Sequence, residues 1–132
     1  MNKFEISINS EVAKIEQVEN FITHIFAVLK LSSELHGRII LSVVEAVNNA
    51  ILHGNKRNST KLVTITAEKL DNLLQITIAD EGEGFDYTEI PDPTSPKAIY
   101  NPTGRGLYLM KTLSDHLVFE RNGATAILSF TL

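Results

Sequence analysis

Cysteine is absent from the 132-residue chain, which excludes a disulfide framework and a thiolate metal site and agrees with a reducing compartment. Strong basic character is missing too. The chain has 12 Lys and Arg against 16 Asp and Glu, a formal net charge of -4, and no basic cluster denser than NKRN at 55–58. Nucleic acid and an anionic membrane are therefore poor candidates for the main partner. No apolar run approaches the length that crosses a bilayer, and the opening MNKFEISINS lacks the basic, apolar and small-residue order of a leader. The expectation is a soluble, cytoplasmic protein. Internal repeats and low-complexity tracts are also lacking.

What is present suffices for one core. A hydrophobic content of 43% at this length fits a single domain over residues 1–132. Phe4, Ile6 and Ile8 alternate with polar neighbours, as in a half-buried strand. Ser10 then reads as an N-cap, with Glu11 in the first turn, of a helix in which Ile15, Val18, Ile22, Ile25, Phe26 and Leu29 keep helical spacing to about Lys30. A second helix follows the break at LSSEL and runs to Gly54. Two alternating runs, KLVTITAEKL and LLQITIAD, flank Asp71 and Asn72 as a hairpin. From Tyr87 to Thr103 the period fails. All 4 prolines fall in this stretch, which reads as a long loop, either a functional lid or a disordered segment. A short helix, GLYLMKTLS, and a hairpin of HLVFE, the turn RNG and ATAILSFTL close the chain. This order suggests an α+β fold, a two-layer α/β sandwich with a mostly antiparallel sheet and helices on one face.

The second helix carries two stripes. Ile40, Val44, Val47 and Ile51 are expected to face the sheet, while Arg38, Ser42, Glu45, Asn49 and His53 run along the opposite side. Glu45 and Asn49 lie one turn apart at i and i+4. A solvated face writes the same pattern. A ligand lying over it would use the pattern differently. Magnesium takes oxygen ligands, keeps several waters and shares substrate phosphates, so the amide oxygen of Asn49 can be a sufficient protein ligand. The carboxylate of Glu45 can accept a proton from a hydroxyl or water as it attacks a phosphoryl group.

The stretch ADEGEGFD at 79–86 follows a strand pattern. Asp80 at the strand end could accept a hydrogen bond from an exocyclic amine such as adenine N6. Gly82 and Gly84 permit close approach to a flat base, with Phe85 beneath the loop. A glycine-rich turn leading into a lid accounts for the same letters. A calcium loop does not, because DEGEGFDYTEI lacks the alternating ligands, the central glycine and the closing glutamate.

NPTGRGLYLM puts Gly104 and Gly106 at the start of a helix, where unpaired N–H groups and the helix dipole favour a phosphate. Arg105 could add a positive charge near a terminal phosphate. A flexible lead-in with a solvent-facing arginine reads equally well. No G-x-x-x-x-G-K-[ST] loop occurs, so a triphosphate would need another holder.

Taken together, the three signals form an ordered set that resembles a known superfamily. EAVNN looks like the N box, DEGEGF the first glycine box and GRGLYLM the second glycine box of the ATPases that include gyrase, heat-shock chaperones, histidine kinases and mismatch-repair proteins. Within that superfamily, SVVEAVNNAILHGN and the near-minimal length look most like the bacterial anti-sigma-factor serine kinases, and the resemblance covers essentially the whole chain. It implies a Bergerat fold and magnesium-dependent ATP binding. It also implies phosphorylation of a serine on an anti-anti-sigma partner, sequestration of a sigma factor, and a homodimer. By position it makes Glu45 the general base, Asn49 the magnesium ligand and Asp80 the adenine reader. Gly82 and Gly84 would shape the base pocket, and Thr103, Gly104, Arg105, Gly106 and Leu107 would hold the rest of the nucleotide. A rival reading is a kinase-inactive module that binds ATP only to order its lid and sequester a partner. Glu45 argues against it, since a pure binder has no need of a base there. A sensor histidine kinase fragment is disfavoured because neither His24 nor His36 is followed by an acid, and His53 reads as a capping or packing residue.

Overall fold

The computed structural model describes residues 3–84 and 102–132, with 102–104 as backbone only. Phe85 and the stretch read as a lid, up to residue 101, lie outside the described residues. Five strands, β1 (Lys3–Asn9), β2 (Leu62–Leu70), β3 (Leu73–Ala79), β4 (His116–Glu120) and β5 (Thr125–Thr131), form one sheet in the order β1-β2-β3-β5-β4. Every neighbouring pair is antiparallel. Ile65 stands opposite Ile78 and Ile76 opposite Leu128. Because side chains alternate along a strand, this register collects Ile8, Ile65, Ile76, Ile78, Leu128 and Phe130 on one buried face. Three helices cover it: α1 (Ile15–Leu29), α2 (Ser33–Asn49) and α3 (Pro102–Leu113). Their apolar residues, among them Val18, Ile22, Val43, Val47 and Met110, complete the same core. This is the two-layer α+β arrangement with an antiparallel sheet that the sequence pattern suggests.

Local chemistry sets the element ends. Lys30 adopts a left-handed conformation (φ 55°) and its N–H bonds back to Phe26 O, as does Leu31 N at 3.0 Å, closing α1. Ser32 then caps α2, its side chain accepting from Glu34 N at 3.3 Å. Asp71, also left-handed (φ 54°), turns β2 into β3. The segment 33–54 is long and apolar enough by composition to cross a bilayer, contrary to the expectation that no such run exists. Its apolar face is instead part of the core.

Four sequence expectations are corrected. Ser10 caps no helix. A single 3-10 turn, Val12–Lys14, precedes α1, and Ser10 is buried with its hydroxyl donating to Lys61 O at 2.8 Å. Val47 and Ile51 are buried as expected, but in the first half of α2 the buried residues are Ile39 and Val43, while Ile40 and Val44 are only half-buried. α2 ends at Asn49, and a wider π turn, Ala50–Gly54, carries the chain on, closed by Asn55 N to Ala50 O at 2.8 Å. Finally, α3 begins at Pro102 rather than Gly106. Proline has no N–H to lose and its φ is preset for helix, so it suits a first helical position.

Candidate active site

The polar stripe of α2 packs against α3. Arg38 donates through Nε and Nη2 to Leu113 O at 3.1 and 2.9 Å, capping the C-terminal end of α3. Ser42 is fully buried, and its hydroxyl bonds back to Arg38 O at 2.7 Å. One turn on, Glu45 meets Gly106. A Cβ built on Gly106 would lie 2.9 Å from Glu45 Oε2 and 3.6 Å from both Asn49 Nδ2 and Oδ1. Glu45 and Asn49 therefore lie together against the second turn of α3, where a side chain on Gly106 would require the Glu45 carboxylate to shift. Asn49 Nδ2 donates to Met110 Sδ at 3.6 Å, which turns its Oδ1 away from the sulfur.

Asp80 follows β3 and is 6% exposed. Gly82 N donates to its Oδ1 at 2.7 Å. Gly54, at the end of the π turn, has no room for a Cβ because the Asp80 carboxyl occupies that space, and Gly82 has none because Gly54 O does. Burial pushes the Asp80 carboxyl above its ordinary range, opposed by the Gly82 N–H and by the positive charges of Arg121 and Lys61. A narrow cleft of about 20 Å³ lies between α2 and the sheet, lined by Asn49, Gly54, Ile78, Asp80, Met110 and Ala124 among others. A dry carboxylate on a wall of aliphatic and glycine surface can accept one directional hydrogen bond while flat apolar surface flanks the donor.

Two of the three sequence signals thus reach a single cleft, and the third abuts it. Asn49 and Asp80 both line it, Glu45 and Gly106 lie beside Asn49, and Gly82 lies beside Asp80. Gly84 sits apart with φ 94°, where a Cβ would run into Asn122 O. Gly104 lies in the first turn of α3, while the side chain of Thr103 is outside the described residues. Arg105 is exposed. Leu107 is 2% exposed and belongs to the core, so its side chain is not available to a ligand. Met110, Asn55 and Arg121 also border the site or Asp80 and carry no motif signal in the sequence. HGN does carry a signal for Gly54, but it reads equally as a helix stop.

A family model described as Histidine kinase-like ATPase domain matches residues 8–132. The serine-protein kinase RsbW of Staphylococcus epidermidis is 33% identical over 96 residues, 64% of this chain and 58% of that protein. The serine-protein kinase RsbW of Bacillus subtilis strain 168 is 31% identical over 96 residues, 66% of this chain and 58% of that protein. The match therefore spans less than two thirds of each of these relatives. Among solved structures, the RsbU and RsbW domains of Rv1364c from Mycobacterium tuberculosis superpose with a TM-score of 0.71 at 17% identity, covering 100% of this chain and 33% of that one. That likeness establishes the fold. The chain belongs to the histidine kinase-like ATPase domain family.

Proposed function

We propose that this histidine kinase-like ATPase binds ATP with magnesium at the cleft between α2 and the sheet and transfers the γ-phosphoryl group to a serine hydroxyl of a partner protein. The observation that carries the reading is the convergence of Glu45 and Asn49 with Gly106, beside a cleft that Asn49 lines together with the buried Asp80 carboxyl. The similarity to proteins named serine-protein kinases supports the direction of transfer.

In this reading Asp80 accepts from adenine N6, and Gly54 and Gly82, which have no Cβ, let the backbone pack directly against its carboxyl. Among the described residues no three acidic or histidine side chains converge to hold a metal, so magnesium would rest on Asn49 Oδ1 together with phosphate and water oxygens. When bound, it neutralises phosphate charge. Glu45 takes the serine proton as the serine oxygen bonds to the γ-phosphorus and the bond to the β-phosphate bridging oxygen breaks, releasing ADP. The backbone of the first turns of α3, from Thr103 through Leu107, faces the phosphates. The serine belongs to an anti-anti-sigma protein, and the chain, as a cytoplasmic homodimer, also sequesters a sigma factor. It contacts neither nucleic acid nor membrane directly.

Calorimetric titration with ATP, with and without magnesium, tests the binding. Labelled ATP, magnesium and the serine-bearing protein recovered by co-purification test the transfer. The expected result is phosphoserine with the parent chain and none with Glu45→Ala, which still binds ATP, while Asn49→Ala loses the magnesium-dependent part of the affinity. Tight ATP binding without transfer would retire the kinase reading, and absence of binding would retire both.

A further inference from the structure

The peptide group between Asp80 and Glu81 is gripped at both ends by side chains from distant segments. Its carbonyl, Asp80 O, accepts from Arg121 Nη2 at 2.6 Å. Its N–H, on Glu81, donates to Asn55 Oδ1 at 2.8 Å. We infer that Asn55 and Arg121 are positioning residues for purine selection, clamping this one peptide so that the Asp80 carboxyl is aimed into the cleft. The inference rests on the reading of Asp80 as the adenine acceptor.

Asn55 is 1% exposed and its amide is bonded at both ends. Besides accepting from Glu81 N, it donates through Nδ2 to Ser10 Oγ at 2.7 Å and Leu62 O at 3.0 Å. It thereby anchors the turn to the end of β1 and the start of β2. Arg121 is held in turn, donating through Nε to Thr125 Oγ1 at 2.7 Å and through Nη2 to Ala124 O at 3.3 Å. A peptide plane fixed at both ends cannot rotate, and the next N–H, that of Gly82, is the one that bonds Asp80 Oδ1. The direction of the carboxyl therefore follows from the clamp. A buried amide left half-paired would cost stability wherever it lay, so a merely structural role predicts lower stability with unchanged purine preference. The clamp predicts that preference changes.

The test compares ATP and GTP affinities by calorimetry for the parent chain, Asn55→Ala, Asn55→Asp, Arg121→Met and Ser10→Ala, with the Gly82 amide followed by NMR in each. Asn55→Ala and Arg121→Met are expected to lower the ATP-over-GTP ratio by roughly five- to tenfold and to shift the Gly82 amide. Asn55→Asp keeps an acceptor for Glu81 N but sets a carboxylate oxygen against Leu62 O, so it is expected to lose stability and yet retain the ratio while folded. Ser10→Ala loses stability but leaves ratio and amide in place. A folded Asn55→Ala with the parental ratio, or a Ser10→Ala as unselective as Asn55→Ala, overturns the clamp. Should Asn55→Ala not fold, Arg121→Met at its exposed turn decides by the same criterion. Should the parent bind no ATP, the adenine reading has failed separately, and an unmoved Gly82 amide in Asn55→Ala and Arg121→Met would sink the clamp as well.

Discussion

Gly106 of α3 lies so close to Glu45 of α2 that a methyl group on it would stand 2.9 Å from the Glu45 carboxylate oxygen Oε2. The missing side chain brings the two helices together where the proposed base sits. Gly106→Ala should displace Glu45 and lower phosphoryl transfer by about tenfold or more. A helix interior also favours alanine, so stability should change little. Transfer from labelled ATP beside a thermal melt checks both parts, and full activity in a folded variant would count against the placement of Glu45.

Asp80 gives a pH signature. Its folded-state carboxyl is raised by burial, so its favourable contribution to folding is present below the ordinary carboxylate range and is lost as pH rises through the raised value. Asp80→Asn keeps an oxygen for Gly82 N and should be more stable than the parent at neutral pH, with the difference shrinking on acidification towards about pH 4. Urea denaturation at several pH values reads this directly. The same variant should weaken the ATP-over-GTP preference, since an amide can also donate to guanine O6.

Gly84→Ala meets two obstacles. The backbone there has φ 94°, and the Cβ would run into Asn122 O, a main-chain atom that cannot swing aside. The expected loss is about 2 kcal/mol or more, read as a lower denaturation midpoint with unchanged slope.

Arg38→Ala removes the forked bond on Leu113 O and should cost about 1–2 kcal/mol. The ion pair to Asp115, 3.6 Å long with side chains 40% and 36% exposed, contributes little of that. Arg38→Met, which keeps the aliphatic stem, should lose nearly as much in equilibrium unfolding. A loss confined to Arg38→Ala would assign the effect to packing instead.

The sequence by itself determined the strands, because alternation such as Val63, Ile65 and Ala67 and turns such as Asp71-Asn72 depend only on near neighbours in the chain. It also marked Glu45, Asn49 and Asp80 through their type and spacing. It could not choose the buried face of α2, since Ile39 and Val43 run beside Ile40 and Val44 and both rows are apolar. Packing chose the first row. Only the tertiary structure set Gly106 against Glu45, buried Ser42 under α3, and joined Asn55 and Arg121 across one peptide. Those relationships join segments far apart in the chain, and periodicity along one segment carries no information about which distant backbone group will arrive at hydrogen-bonding distance.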